Sequence, residues 1–131
     1  MGELIAALVM LLVPRAEPCA VLGALDVVRA EAWSRGDPGL LAEVYAGEAG
    51  RADVARLTRW RERGIEVRGM RSVHAACEAA GPASARVVQR LGPTAAVLPD
   101  GSRRALPQDA WDRRRVELVQ VRGRWRIARV R

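Results

Sequence analysis

Two stretches near the C-terminus, RVELVQV and RWRIARV, constrain the fold more than any other feature of the sequence. They flank an Arg122-Gly123 pair, and in each of them apolar and polar residues alternate, as they do in half-buried strands. A two-residue loop would set four side chains on one face, opposing Leu118 to Ile127 and Gln120 to Trp125. The C-terminus is therefore predicted to be a β-hairpin that covers a core.

The same alternation accounts for the closing segment RGRWRIARVR, in which five of ten residues are arginine. Arg124 and Arg126 alternate with apolar residues, which is the pattern of a strand with one solvent-facing side. The alternation fails at Arg129-Val130, and this failure predicts a bulge or the end of the strand there. The arginines are thus interpreted as part of an ordinary strand.

Three helices are predicted upstream of the strands. The segment CAVLGALDVVRAEAWSRG has apolar residues at helical spacing, and Gly36 is suited to end it. Asp37-Pro38 suits the start of a second helix, and a third is expected at about residues 52–63, ended by Gly64. The apolar side chains of the second and third helices are Leu40, Leu41, Val44, Tyr45, Val54, Leu57 and Trp60.

The middle of the chain alternates with a period of two. Residues 65–81, IEVRGMRSVHAACEAAG, predict one long strand with a bulge at Gly69. Cys77 falls on its apolar face, and His74, the only histidine, falls on its polar face. A second strand, ASARVVQRL, places Gln89 inward, and Pro99-Asp100-Gly101 predicts a hairpin turn.

The N-terminus contains an unbroken apolar run, LIAALVMLLV, at residues 4–13. The run is shorter than the roughly 20 residues that span a bilayer, and its length matches the core of a secretory signal, about 7 to 15 residues. We favour an export segment at residues 1–16 followed by one domain at residues 17–131. The alternative is a buried N-terminal helix of the domain.

Whether the two cysteines are bonded to each other or stay reduced depends on the export prediction. Cys19 and Cys77 are the only cysteines, and in an exported chain they would form one disulfide. If the chain stays in a reducing compartment, two buried thiols are expected instead. Two cysteines and one histidine far apart do not match a zinc-ligand spacing, so no metal and no cofactor are predicted.

Charge is distributed unevenly along the chain. The net charge is +7, yet residues 1–50 hold three arginines against seven acidic residues, and residues 51–131 hold nineteen against eight. A basic half can attract nucleic acid, anionic lipid or an acidic protein, and it can also be a solvated surface. The candidate contact residues for an anion or a partner are Trp111, Arg113, Arg114 and Arg115.

The order of elements, helices and then a strand meander ending in GRWRIARV, resembles the nuclear transport factor 2-like, or SnoaL-like, superfamily. Its closing strand commonly carries Gly-x-Trp-x-Ile, here Gly123, Trp125 and Ile127, and AWSRGDPGLLAEVYA is similar to its joint between the first two helices. The resemblance covers roughly residues 19–131. It implies an α+β domain whose helices pack on a strongly curved, mostly antiparallel, cone-like sheet. The family's strand after the second helix is not evident, because GEAGR stands there.

The resemblance also implies a pocket between helices and sheet. Members of the family include isomerases, dehydratases, epoxide hydrolases and non-catalytic binding modules, so the fold does not fix the function. Pocket-lining candidates in this sequence are Tyr45, Trp60, Gln89, Gln120 and Trp125. No catalytic residues are assigned, because His74, Asp26 and Asp53 are all expected to face solvent.

These observations favour an exported, non-catalytic binding or accessory domain with a small apolar ligand or a protein partner. The alternative is an isomerase or dehydratase that uses Tyr45, and a third option is binding of nucleic acid or an acidic partner through the arginine-rich half. Nucleic acid is disfavoured because an exported protein rarely meets it. A homodimer through the outer sheet face is also predicted, with Arg68, Val88, Val119 and Val121 near the contact.

Overall fold

The computed structural model describes residues 16–131, and these form an α+β fold of three helices and seven antiparallel strands. All of the predicted export segment except Ala16 lies outside the described residues. The helices are α1 (Pro18–Arg35), α2 (Pro38–Ala42) and α3 (Arg51–Glu62). The strands are β1 (Glu66–Arg68), β2 (Ser72–Gly81), β3 (Ser84–Leu91), β4 (Ala95–Val97), β5 (Arg103–Ala105), β6 (Asp112–Val121) and β7 (Arg124–Val130).

The ends of the helices follow from local chemistry. The Glu17 carboxylate accepts a hydrogen bond from the Ala20 N–H at the start of α1, and Gly36 ends that helix in the left-handed conformation with a φ of 62°. Asp37 accepts from the Leu40 N–H and begins α2, as predicted. None of the helices within residues 16–131 is long and apolar enough to cross a membrane.

The second helix is shorter than the sequence predicts. It ends at Ala42, so Val44 and Tyr45 lie beyond it and extend toward β7. The Ile127 N–H donates to the Val44 carbonyl, the Ala46 N–H donates to the Ile127 carbonyl, and Tyr45 pairs with Ile127 in a single parallel bridge. Between α2 and α3 the described chain therefore forms this single bridge and no full strand.

The strands form two sheets. The larger has four strands in the order β2-β3-β6-β7, and the smaller has three in the order β1-β4-β5. The long strand predicted for residues 65–81 is therefore divided between the sheets, and Gly69 lies in the break with a φ of 77°. A side chain at Gly69 would also come within 2.8 Å of the Pro93 carbonyl oxygen, so glycine is required there.

The C-terminal hairpin has the predicted register. Leu118 pairs with Ile127 and Gln120 pairs with Trp125. Arg122 and Gly123 form the turn with φ values of 53° and 77°, the positive values that a type I′ turn needs. The bulge predicted near Arg129-Val130 is also present. The register shifts between Glu117 and Leu118, and Ala128 is the extra residue of β7.

The apolar core has two parts. One lies between α1 and the four-stranded sheet and includes Leu22, Val44, Val87, Val116 and Ile127. The other joins the end of α1 to the remaining helices and β1, and includes Trp33, Leu41 and Leu57. The hairpin turn at Pro99-Asp100-Gly101 joins β4 to β5, as predicted.

The disulfide between Cys19 and Cys77 is present and joins the start of α1 to the middle of β2. The two Cα atoms are 6.1 Å apart, a distance typical of disulfides. The bond therefore holds the start of α1 against the large sheet.

Candidate functional site

A cavity of about 610 Å³ lies between α1 and the inner face of the four-stranded sheet. Its volume is in the range of small-molecule sites, about 300 to 1,000 Å³. Apolar side chains form part of its wall: Leu22, Leu91, Val116, Ile127 and Val130. Polar side chains form the rest, and these include Asp26, Arg29, Tyr45, Ser72 and Gln89.

Helix α1 supplies one side of the cavity from a single stripe. Leu22, Asp26 and Arg29 follow one another four and three residues apart, and this spacing places them on the same helix face. Leu22 is almost fully buried. The polar pair Asp26 and Arg29 therefore continues an apolar stripe that faces the sheet.

Asp26 lies against the only histidine of the chain. The Asp26 Oδ2 and His74 Nε2 atoms are 3.0 Å apart, and the two side chains are 17% and 21% exposed. The Nε2 atom has no partner in hydrogen-bonding geometry among residues 16–131, so this is a close polar contact without an aligned hydrogen bond. Burial raises the pKa of the Asp26 carboxyl above its ordinary value, and His74 and Arg29 offset only part of that rise.

The position of His74 corrects the prediction that it faces solvent with Glu66, Arg68 and Glu78. The register between β2 and β3 shifts between His74 and Ala76, so one extra residue enters β2 at Ala75. An extra residue reverses the alternation beyond it. Both His74 and Cys77 therefore face α1, although they are separated by an odd number of positions.

Arg29 binds a second carboxylate, that of Asp53 on α3. Arg29 Nε lies 2.7 Å from Asp53 Oδ2, and Arg29 Nη2 lies 3.0 Å from Asp53 Oδ1, so the ion pair is bidentate. Burial alone would raise the pKa of Asp53, but the hydrogen bonds and charge of Arg29 outweigh it and hold that pKa below its ordinary value. The predicted solvated roles of Asp26 and Asp53 are thus both wrong.

Tyr45 completes this ion pair. Its hydroxyl donates a hydrogen bond of 2.6 Å to Asp53 Oδ2, and burial together with the negative charge of Asp53 raises the pKa of the Tyr45 phenol despite the nearby Arg29. The ring packs directly on Gly50, where any side chain would collide with it. Gly50, the fourth residue of the GEAGR segment, therefore makes room for the tyrosine.

The mouth of the cavity is formed by residues 109–112 and neighbouring arginines. Trp111 is 44% exposed, and the guanidinium carbon of Arg90 lies 4.3 Å from the centre of its ring. Arg114 points inward and is held by Asp112 at 2.6 Å, whereas Arg113 and Arg115 occupy outward positions of the same strand. The predicted anion cluster is therefore divided between the two faces of the sheet.

The predicted pocket residues have mixed outcomes. Tyr45 and Gln89 line the cavity. Trp60 does not, because it packs edge to face on Trp33 in the second part of the core, with ring centres 6.1 Å apart. Gln120 is exposed at the far end of β6, and Trp125 packs beside α1 in a separate apolar groove.

Sequence reasoning missed the polar residues that α1 brings to the cavity. Asp26 and Arg29 are the clearest examples, because each lies at helical spacing from Leu22. That spacing was a usable signal, because a charged residue on the buried face of a helix is expected to have a partner of opposite charge or a hydrogen-bond partner. Their partners, His74 and Asp53, are distant in sequence, and no local pattern identifies them.

Comparison with known proteins defines the fold but no family. No protein-family model matches the chain, and no curated protein matches it. Among solved structures, the chain is similar to Rv3472, a protein of unknown function from Mycobacterium tuberculosis, with 15% identity, a TM-score of 0.57, and coverage of 85% of this chain and 68% of that one.

Two further solved structures are similar. The intermembrane space region of the chloroplast protein ARC6 has 15% identity and a TM-score of 0.56, with coverage of 90% of this chain and 97% of that one. An uncharacterised protein with a cystatin-like fold from Caulobacter vibrioides has 23% identity and a TM-score of 0.52, with coverage of 84% of each chain. At these identities the similarity concerns the fold alone, a helix-and-sheet α+β arrangement.

Proposed function

We propose that this chain is an exported, cone-type domain of the nuclear transport factor 2-like kind that binds a small amphipathic molecule in the cavity beneath α1. The observation that carries the proposal is the cavity itself, about 610 Å³ with both apolar and polar walls. Sites of this size with a few converging polar groups are the usual places where soluble domains hold small ligands.

The polar groups suit orientation of a ligand. Arg29 and Asp53 neutralise each other, and the Tyr45 hydroxyl already donates its hydrogen bond to Asp53. Asp26 and Gln89 remain as groups that can accept or donate a hydrogen bond at the wall. A ligand with an apolar body and one hydroxyl or amine would match this lining.

Export is part of the same proposal. The Cys19–Cys77 disulfide supports it, because disulfides persist in oxidising compartments and are rare in the cytosol. The apolar run at residues 4–13 supports it independently.

A second candidate function, general acid–base catalysis, rests on Asp26. A buried carboxyl with a raised pKa next to a histidine is the kind of pair that enzymes use for proton transfer near neutral pH. Such a reaction would be an isomerisation or a dehydration of the bound molecule. The site would then use Asp26 and His74, because the Tyr45 hydroxyl that the sequence suggested is engaged with Asp53.

The binding proposal is tested by native mass spectrometry of protein from its own host and of protein mixed with a library of small hydroxylated and amine-bearing compounds. Ser72 lines the cavity and Ser84 occupies the outer face of the same sheet. We therefore expect Ser72→Trp to abolish ligand retention and Ser84→Trp to preserve it. Equal retention by both variants, or a ligand that neither substitution affects, would refute the cavity as the site.

The two candidate functions are separated by incubating a ligand found in this way with fresh protein and analysing it by chromatography and NMR. A binding domain returns the molecule unchanged. Conversion by the wild type and loss of conversion in Asp26→Asn, with ligand affinity retained, would establish catalysis instead.

A further inference from the structure

The outer face of the four-stranded sheet carries a cluster of arginines that the cavity does not use. Cross-strand pairs share a face, and the inner face is fixed by the buried residues Ala85, Val87 and Val116. Five exposed arginines therefore lie together in three neighbouring rows of the outer face, a cluster here called the basic face: Arg86, Arg113, Arg115, Arg129 and Arg131.

Three of these arginines stand in one row across neighbouring strands. Arg86 pairs directly with Arg115, and Arg115 exchanges two backbone hydrogen bonds with Arg131. Side chains in directly opposed positions start only about 5 Å apart, and like charges there destabilise a sheet. The row of arginines therefore destabilises the folded sheet, and a negatively charged partner would relieve the repulsion.

Neighbouring acids compensate little of this charge. Glu78 lies 3.4 Å from Arg86, and Glu117 lies 3.7 Å from Arg131, both as exposed pairs of low energetic value. Among residues 16–131, no carboxylate forms an ion pair with Arg113, Arg115 or Arg129. A second copy laid face to face would bring like charges together, so the basic face is suited to an anionic partner rather than to an isologous dimer.

An exposed aromatic residue marks one end of the basic face. Arg90 near the end of β3 stacks its guanidinium on the indole ring of Trp111, which directly precedes β6. Tryptophan is enriched where membrane proteins meet the headgroup region, and basic residues are attracted to anionic headgroups. The disulfide favours an oxidising compartment outside the cytosol, where an exported chain rarely meets nucleic acid.

We propose that the basic face binds the surface of a bilayer that contains anionic phospholipids, with Arg113, Arg115 and Arg129 at the headgroups and Trp111 inserted at the edge. The five arginines lie on the side of the sheet opposite the cavity, whereas Trp111 also lines the cavity mouth. The choice of a bilayer over nucleic acid rests on the export part of the proposed function. Basic residues near such a surface each contribute roughly fivefold in affinity, and the attraction falls off within a Debye length.

The test is co-sedimentation of the purified chain with vesicles of phosphatidylcholine alone and with vesicles that also contain phosphatidylglycerol. We expect binding only to the anionic vesicles, and weaker binding as salt is raised. Absence of binding to anionic vesicles at low salt would overturn the proposal. So would tighter binding to a DNA oligonucleotide than to the vesicles, because that result assigns the basic face to nucleic acid.

Matched variants separate the basic face from net charge. The face variant is Arg113→Gln/Arg115→Gln/Arg129→Gln, and the control is Arg56→Gln/Arg59→Gln/Arg63→Gln on the exposed side of α3 and just after it. Each removes three positive charges from a net charge of +7. We expect the face variant to bind anionic vesicles at least tenfold more weakly and the control to stay within about twofold of the wild type.

Stability gives an independent readout on the same face. Arg115→Gln alone should raise the thermal unfolding midpoint, because it removes the middle charge of the row, while it weakens vesicle binding. A lower midpoint for Arg115→Gln, or equal loss of binding in the face variant and the control, would contradict the inference.

Discussion

Replacing both cysteines by alanine, Cys19→Ala with Cys77→Ala, should lower the free energy of unfolding by about 4 kcal/mol. The two cysteines are 58 residues apart. In the chain-entropy model, closing a loop of that length removes about 14 cal/mol/K from the unfolded state, which amounts to about 4 kcal/mol at 25 °C. A domain of this kind has a total stability of about 5 to 15 kcal/mol, so the loss is a large share.

The assay is urea unfolding followed by tryptophan fluorescence, with and without a reducing agent. Reduction should move the midpoint of the wild type to that of the double variant and should leave the variant unchanged. A wild type that is insensitive to reductant, or a loss below about 1 kcal/mol, would refute the reasoning. The disulfide joins the two elements that carry Asp26 and His74, so ligand binding in the cavity should weaken in parallel.

Three other substitutions have defined expectations. Tyr45→Phe removes the hydrogen bond to Asp53 and should cost about 1 to 2 kcal/mol in urea unfolding, whereas an unchanged midpoint would mean that the bond contributes nothing. Gly50→Ala should destabilise by about 1 to 3 kcal/mol, measured by thermal unfolding, because its methyl group must displace the Tyr45 ring. Asp26→Asn should stabilise the chain near neutral pH. Because the pKa of Asp26 is raised on folding, its contribution to stability is full below pH 3.8 and is lost as pH rises through the folded-state pKa. Equal dependence of unfolding free energy on pH in wild type and variant would contradict this expectation.

The C-terminal hairpin could be predicted because its determinants are local. Alternation fixed which residues of RVELVQV and RWRIARV face inward, and the Arg122-Gly123 turn fixed the register. The same holds for the start of α2, since Asp37 caps the helix from its own sequence neighbourhood.

Tertiary interactions decided what could not be predicted. The α2 helix ends early because the backbone on either side of Tyr45 bonds to Ile127, which lies in the last strand. One extra residue at Ala75 places His74 on the side facing α1 instead of the solvent side. Alternation reveals a bulge only where a polar or apolar residue falls on the wrong face, and no residue near Ala75 does so. The cavity therefore contains acidic groups that the strand pattern did not predict.

The charged residues of α1 illustrate the same limit. The sequence predicts a solvated role for Asp26 and does not single out Arg29, because charged side chains are mostly exposed. Their burial depends on partners 48 and 24 positions away along the chain, His74 and Asp53. Only the folded arrangement brings those partners together.

The most direct test of the account is an NMR titration of the amide signals of the folded chain with a library of small amphipathic compounds. We expect binders to shift the signals of cavity residues such as Leu22, Gln89 and Val116, and to leave those of Val88 and Val119 on the outer face unchanged. Compounds that shift only the outer face, or a library in which none shifts the cavity residues, would contradict the claim that the cavity is the binding site.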